Sequence, residues 1–179
     1  MKIPTVYDEK KILLVDDEPE HLDWLVDYID SKGFKTTIVT NVKEAIEAAE
    51  RVSYRAFIID LNIPFGGWTP PNNFQVGATY DEYHGLHILK FVRTQGNAGV
   101  RVLAYSAHYN EQIAGEIKRL YCGYIVKGRP RQLKDEIDAL LTRDPKAERL
   151  NTPRPERAKS RPPRLLTKLK RKAKRKATR

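Results

Sequence analysis

The chain has 179 residues, enough for one domain with a full core and an appendage. Its single cysteine excludes an internal disulfide and suits a reducing compartment, and no apolar run approaches the length of a membrane span. The net charge of +10 is unevenly carried: residues 143–179 hold 16 Lys or Arg against 3 Asp or Glu, a net of +13, while the remainder holds 17 against 20, a net of −3. A mildly acidic globule with a strongly basic tail is therefore expected, because blocks of like charge are usually solvated interaction tails.

In chain order, residues 1–10 read as a leader without the apolar stretch of a signal peptide, so the expected compartment is the cytoplasm. Ile12-Leu13-Leu14-Val15 reads as a strand and runs into Asp16-Asp17-Glu18. Pro19 suits the first turn of a helix, Leu22, Leu25, Val26 and Ile29 recur at helical spacing, and Gly33 is a stop signal. Lys35 to Val39 is a second strand. Asn41 with Glu44 three residues on resembles a capping box, with Ala45, Ile46, Ala48 and Ala49 following as a short helix. Ala56-Phe57-Ile58-Ile59 then leads straight into Asp60 with no polar alternation, the pattern of a strand buried on both faces.

Residues 65–84 break the rhythm. They set Phe65, Trp68, Phe74, Tyr80 and Tyr83 among Gly, Pro and Asn, too rich in turn residues for a long helix and too aromatic for full disorder. A flap beside Asp60 is expected, with Trp68 and Phe74 as candidate partner anchors beside the alternative of self-packing. From Gly85, residues Leu86, Leu89 and Val92 fit a helix ending near Gly96. A strand over Val100 to Tyr105 ends at Ser106, and a helix follows over about Asn110 to Tyr121. A short strand, Tyr124-Ile125-Val126, ends at Lys127, and Leu133, Ile137, Leu140 and Leu141 mark a last amphipathic helix. Four strand ends thus deliver an acidic cluster, a lone carboxylate, a hydroxyl and a lysine to one edge of a sheet. In open α/β sheets that edge is where ligands bind. Carboxylates so close repel one another unless a cation joins them, and such an oxygen-rich site suits Mg²⁺. With a lysine and a hydroxyl added, the set suits a phosphoryl group on a carboxylate.

The ordered motifs V-D-D, I-I-D-L-N-I-P, Y-S-A and Y-I-V-K resemble those of the receiver domain of two-component response regulators, over residues 10–142. The resemblance implies a flavodoxin-like, doubly wound α/β fold with a five-stranded parallel sheet in the order 2-1-3-4-5, alternating with five helices. It implies Asp60 as phosphoacceptor, and Asp17 and Asp16 with Asp60 and the Asn62 backbone carbonyl as the Mg²⁺ site. Ser106 would be the switch hydroxyl, Lys127 the phosphate-pairing lysine and Tyr124 the aromatic that swings inward on activation. Asn62 and His108 would tune hydrolysis of the aspartyl phosphate. The implied partner is a sensor histidine kinase or phosphotransfer protein of a phosphorelay, with a homodimer as a candidate assembly and no turnover chemistry beyond self-phosphorylation and its reversal. Two departures stand out: the segment 65–84, and Lys127-Gly128-Arg129-Pro130 where the family often has Lys-Pro.

Blander readings remain beside these. Asp60 could cap a loop, Ser106 could cap the next helix, Lys127 could be a surface cation and Tyr124 a core or rim aromatic. His84 and His87, at i and i+3 near Asp81 and Glu82, are a weak metal pair, and Cys122 reads as packed rather than reactive. In the tail 143–179, Lys168, Lys170, Arg171, Lys172, Lys174 and Arg175 are dense enough to bind a polyanion such as nucleic acid. That leaves a second functional reading, a nucleic-acid-binding regulator with the tail as effector, beside acidic protein, anionic lipid or no partner at all.

Overall fold

The computed structural model of the chain describes residues 6–71, 74, 77–97 and 99–143. Strand β1 (Val6–Val15) is followed by a 3₁₀ turn, Pro19–Leu22, and helix α1 (Asp23–Ser31). Strand β2 (Lys35–Val39), helix α2 (Val42–Arg51) and strand β3 (Val52–Ile59) come next. A one-turn helix α3 (Thr79–Glu82) precedes α4 (Gly85–Thr94), β4 (Val102–Ser106), α5 (Glu111–Arg119), β5 (Gly123–Val126) and α6 (Pro130–Thr142). The five strands are parallel in the order β2-β1-β3-β4-β5.

Strand periodicity explains the sheet's two covered faces. Alternate residues point to opposite sides. Leu13, Val15, Phe57, Ile59, Val102 and Ala104 pack with Ala45 and Ile46 of α2, Leu86 and Leu89 of α4, and Ile113 and Ile117 of α5. Ile12, Leu14, Ala56, Ile58, Leu103 and Ile125 pack with Leu25 and Ile29 of α1 and Leu133 and Ile137 of α6. With water excluded from both faces, no polar alternation is needed, and each buried aliphatic side chain contributes about 1.5–3 kcal/mol.

The stretch read as a leader supplies the first half of β1, because Val6, Tyr7 and Asp8 pair with Val52, Ser53 and Tyr54; the ladder shifts register between Asp8 and Ile12. The fourth strand begins at Val102, not Val100, since Gly99–Arg101 form a 3₁₀ turn. There are six helices among the described residues rather than five, the extra one being α3 inside the segment 65–84. Asn41 caps α2, its Oδ1 accepting from the Glu44 N–H at 3.0 Å, but the Glu44 carboxylate accepts from the Thr40 N–H at 3.1 Å instead of from that of Asn41. Helix α5 is capped by Asn110, whose Oδ1 accepts from the Ile113 N–H at 2.8 Å, so capping does not fall to Ser106.

Candidate functional site

Asp16, Asp60 and Lys127 each stand just past a strand, and each backbone is held by one more rung of the ladder. The Asp16 N–H donates to the Val39 carbonyl at 3.1 Å, Asp60 to Val15 at 2.8 Å, and Lys127 to Ser106 at 2.9 Å. Strand order therefore brings together groups 111 and 67 residues apart in the chain. Lys127 Nζ lies 2.7 Å from Asp16 Oδ2 and 2.7 Å from Asp60 Oδ2. Carboxylate oxygens of Asp16, Asp17 and Asp60 lie within 4.8 Å of one another, the single group of this kind among the described residues.

The three carboxylates differ in setting. Asp16 and Asp60 are buried and Asp17 is exposed. Desolvation, helped by the charges of Asp16, Asp60 and Glu18, raises the Asp17 pKa above the ordinary 3.8, against the opposing pull of a backbone hydrogen bond. Burial works against the Lys127 charge, but its bonds to Asp16 and Asp60 prevail and hold its pKa above 10.5. The free oxygens are also engaged locally. Asp16 Oδ1 accepts from the Glu18 N–H at 3.0 Å, and Asp60 Oδ1 from the Asn62 N–H at 3.2 Å, curling the loop after β3 around the carboxylate. A cleft of about 360 Å³ opens beside the cluster, lined by Asp16, His21, Trp24, Tyr105 and Lys127.

Ser106 is fully buried, and its hydroxyl accepts from the His108 N–H at 3.4 Å. Tyr124 is partly exposed and donates its hydroxyl to the His108 carbonyl at 2.5 Å, with Tyr109 tilted over it at 5.7 Å. Lys127 is followed by Gly128 at φ 87, a left-handed turn that a side chain would strain, and Pro130 opens α6. No peptide bond among the described residues is cis.

Segment 65–84 starts and ends against this site. The Gly85 N–H donates to the Leu61 carbonyl at 3.0 Å, and a Cβ on Gly85 would stand 2.0 Å from the Asp60 carbonyl oxygen. Only glycine permits that approach. Phe65, Trp68, Phe74 and Tyr80 turn inward around His87 of α4, with centroid distances of 5.5, 5.2, 5.8 and 5.2 Å. Trp68 and Phe74 thus make the self-packed arrangement. His87 is fully buried, neither ring nitrogen has a hydrogen-bond partner, and burial pushes its pKa down to about 4. Both ring nitrogens of His84 face backbone carbonyls, of Ile63 at 2.9 Å and Asp81 at 3.1 Å, so the two histidines do not form a metal pair. Burial drives the Cys122 thiol up to about 12, consistent with a packed, unreactive cysteine.

Sequence reasoning missed the cage around His87 and three buried arginines. Arg55 donates to the Leu141 carbonyl at 2.7 Å and to that of Arg143, tying down the end of α6. Arg93 and Arg101 bond the Leu120 and Arg55 carbonyls at 2.6 and 2.7 Å. No periodic signal marks such residues, since their partners lie far away in sequence. The tail residues Lys168, Lys170, Arg171, Lys172, Lys174 and Arg175 lie outside the described residues. Among the described residues no helix is long and apolar enough to cross a membrane.

No family model and no curated protein matches the sequence. Solved structures do match in fold. A two-component response regulator from Clostridium difficile superposes with a TM-score of 0.58 at 17% identity, covering 75% of this chain and 97% of that one. The receiver domain of a sensor histidine kinase from Pseudomonas aeruginosa PAO1, with magnesium coordinated in its active-site cleft, gives 0.55 at 20%, covering 75% and 98%. The response regulator TrrA from Thermotoga maritima, in complex with Mg²⁺ and BeF, gives 0.54 at 22%, covering 73% and 98%. At these identities the likeness establishes the fold alone: the flavodoxin-like, doubly wound five-stranded parallel sheet.

Proposed function

We propose that the chain is a receiver module of two-component signalling, a phosphoacceptor that takes a phosphoryl group onto Asp60 and acts through protein contacts. The observation that carries this reading is the position of Lys127 Nζ, 2.7 Å from both Asp16 and Asp60 at the carboxyl edge of the sheet. An ammonium group already lies beside the carboxylate that would be modified, ready to pair with the new phosphoryl oxygens.

The donor set fits a magnesium ion. Asp16, Asp17 and Asp60 offer hard carboxylate oxygens within 4.8 Å of one another, and two neighbours of the same fold carry magnesium. The Asn62 carbonyl would complete the protein's share of the ligands. When bound, the ion would offset negative charge on the transferring phosphoryl group. The rest falls to the chain. An Asp60 carboxylate oxygen attacks the phosphorus of a phosphohistidine on a sensor kinase or phosphotransfer protein. The P–N bond breaks, its electron pair stays on the imidazole, and Asp60 becomes an acyl phosphate. Lys127 pairs with the phosphoryl oxygens and Ser106 donates its hydroxyl to one of them. As the β4–α5 loop closes, Tyr124 leaves the His108 carbonyl and turns inward, changing the surface of α5, β5 and α6. Water attack on phosphorus, with cleavage of the bond to Asp60, restores the carboxylate, so the chain is a timed switch rather than a turnover catalyst. The reading places it in the cytoplasm, which its single cysteine suits.

Titration with beryllofluoride in the presence of Mg²⁺, followed by tryptophan fluorescence, tests this reading. Saturable binding by the parent and none by Asp60→Ala is expected. An equal response in both would remove Asp60 from the mechanism.

A further inference from the structure

Segment 65–84 does more than border the site: through Tyr83 it reaches the loop between β4 and α5. Tyr83 is nearly buried and stands on a fixed base. Its N–H donates to the Thr79 carbonyl at 3.0 Å, the next residue, His84, is bound to Ile63, and Gly85 is bound to Leu61. From there its ring meets the His108 ring at 5.7 Å, tilted by 55°. The side chains of Glu82 and Asn110 lie near its hydroxyl. From β5, Tyr124 holds the His108 carbonyl at 2.5 Å. Two tyrosines therefore meet at His108, one on its ring and one on its carbonyl. The intervening backbone also carries the N–H that meets the Ser106 hydroxyl.

We propose that Tyr83 is a positioning residue that holds the β4–α5 loop in its resting arrangement, with Tyr124 outward, and so sets how readily a phosphoryl group is accepted and retained at Asp60. This rests on the phosphoacceptor reading given above. Because the His108 N–H is bonded to the Ser106 hydroxyl, a shift of Ser106 toward a phosphoryl oxygen would be felt at His108 and would strain both tyrosine contacts. Segment 65–84 therefore acts as a brake. A ligand that needs the moved loop binds in proportion to the fraction of molecules that have it, and Tyr83 lowers that fraction.

The test is the dissociation constant of beryllofluoride at saturating Mg²⁺, measured on the full chain beside the affinity for Mg²⁺ alone. Tyr83→Leu should bind beryllofluoride about tenfold tighter, the effect expected from losing the ring contact with His108 and the polar surroundings of the hydroxyl. Mg²⁺ affinity should stay at the parent's value, because Asp16, Asp17 and Asp60 are untouched. Tyr83→Phe keeps the ring and should fall between parent and Tyr83→Leu. Tyr124→Phe, which removes the other contact, should tighten binding too, and the Tyr83→Leu/Tyr124→Phe double variant should gain less than the product of the two. Unchanged or weaker beryllofluoride binding in Tyr83→Leu, with Mg²⁺ affinity intact, overturns the proposal. If Tyr83→Leu loses Mg²⁺ affinity as well, it has lost its fold, and Tyr83→Phe decides: binding no tighter than the parent's overturns the proposal. Failure of the phosphoacceptor reading is seen separately, as parent binding that survives Asp60→Ala.

Discussion

Lys127 neutralises two buried carboxylates at once, and its removal should be felt before any chemistry is attempted. The bonds to Asp16 and Asp60 outweigh desolvation and raise its pKa above 10.5. The stability this pairing gives is therefore fully present below pH 10.5 and is lost as pH rises through the folded value. Lys127→Met should cost about 3 kcal/mol in the presence of a chelator, because two buried anions lose their counter-charge. Mg²⁺ should then stabilise the variant more than the parent. Urea denaturation with and without the ion reads both, and a variant as stable as the parent in chelator would show that Lys127 does not neutralise the cluster. Gly85 acts by what it lacks. With a Cβ placed 2.0 Å from the Asp60 carbonyl oxygen and 2.7 Å from Leu61 Cα, Gly85→Ala must push backbone aside. A destabilisation of about 2–3 kcal/mol is expected, with weaker Mg²⁺ binding as Asp60 shifts. Wild-type stability and Mg²⁺ affinity in that variant would mean the approach is not tight.

Helix α4 meets segment 65–84 around an imidazole that has no hydrogen-bond partner. His87 titrates near 6.5 when unfolded and at about 4 in this cage. Between those values the unfolded chain binds more protons, so stability falls as pH drops from about 6.5 and the loss is complete below about 4. The full effect is roughly 3 kcal/mol. His87→Leu removes two unsatisfied nitrogens and should raise stability at neutral pH by about 1 kcal/mol. It should also flatten the acid limb between pH 6.5 and 4, as chemical denaturation across that range would show. An acid limb identical to the parent's would place the sensitivity elsewhere. This cage also marks where sequence reading ends. Phe65, Trp68 and Tyr80 are visible as aromatics in a turn-rich segment, yet nothing local says that they close on His87. Tyr83 gave no signal either, because His108 lies on a different loop.

At the scale of the whole molecule, legibility follows burial. The central strands were readable because helices cover both faces and leave unbroken apolar runs such as Ala56 to Ile59. The first half of β1 was not, because Asp8, Glu9, Lys10 and Lys11 interrupt the run where only pairing with Val52 to Tyr54 defines the strand. The convergence of Asp16, Asp60 and Lys127 could be anticipated because parallel strands all present their carboxyl ends at one edge. The roles assigned to those residues rest on the phosphoryl chemistry itself. The most direct measurement is incubation of the full chain with acetyl phosphate, followed by intact mass and mapping of the modified residue. One phosphoryl group per chain is expected, on Asp60, lost when Mg²⁺ is chelated and absent from Asp60→Asn. Incorporation that is undiminished in Asp60→Asn, or that proceeds equally in chelator, would contradict the phosphoacceptor reading.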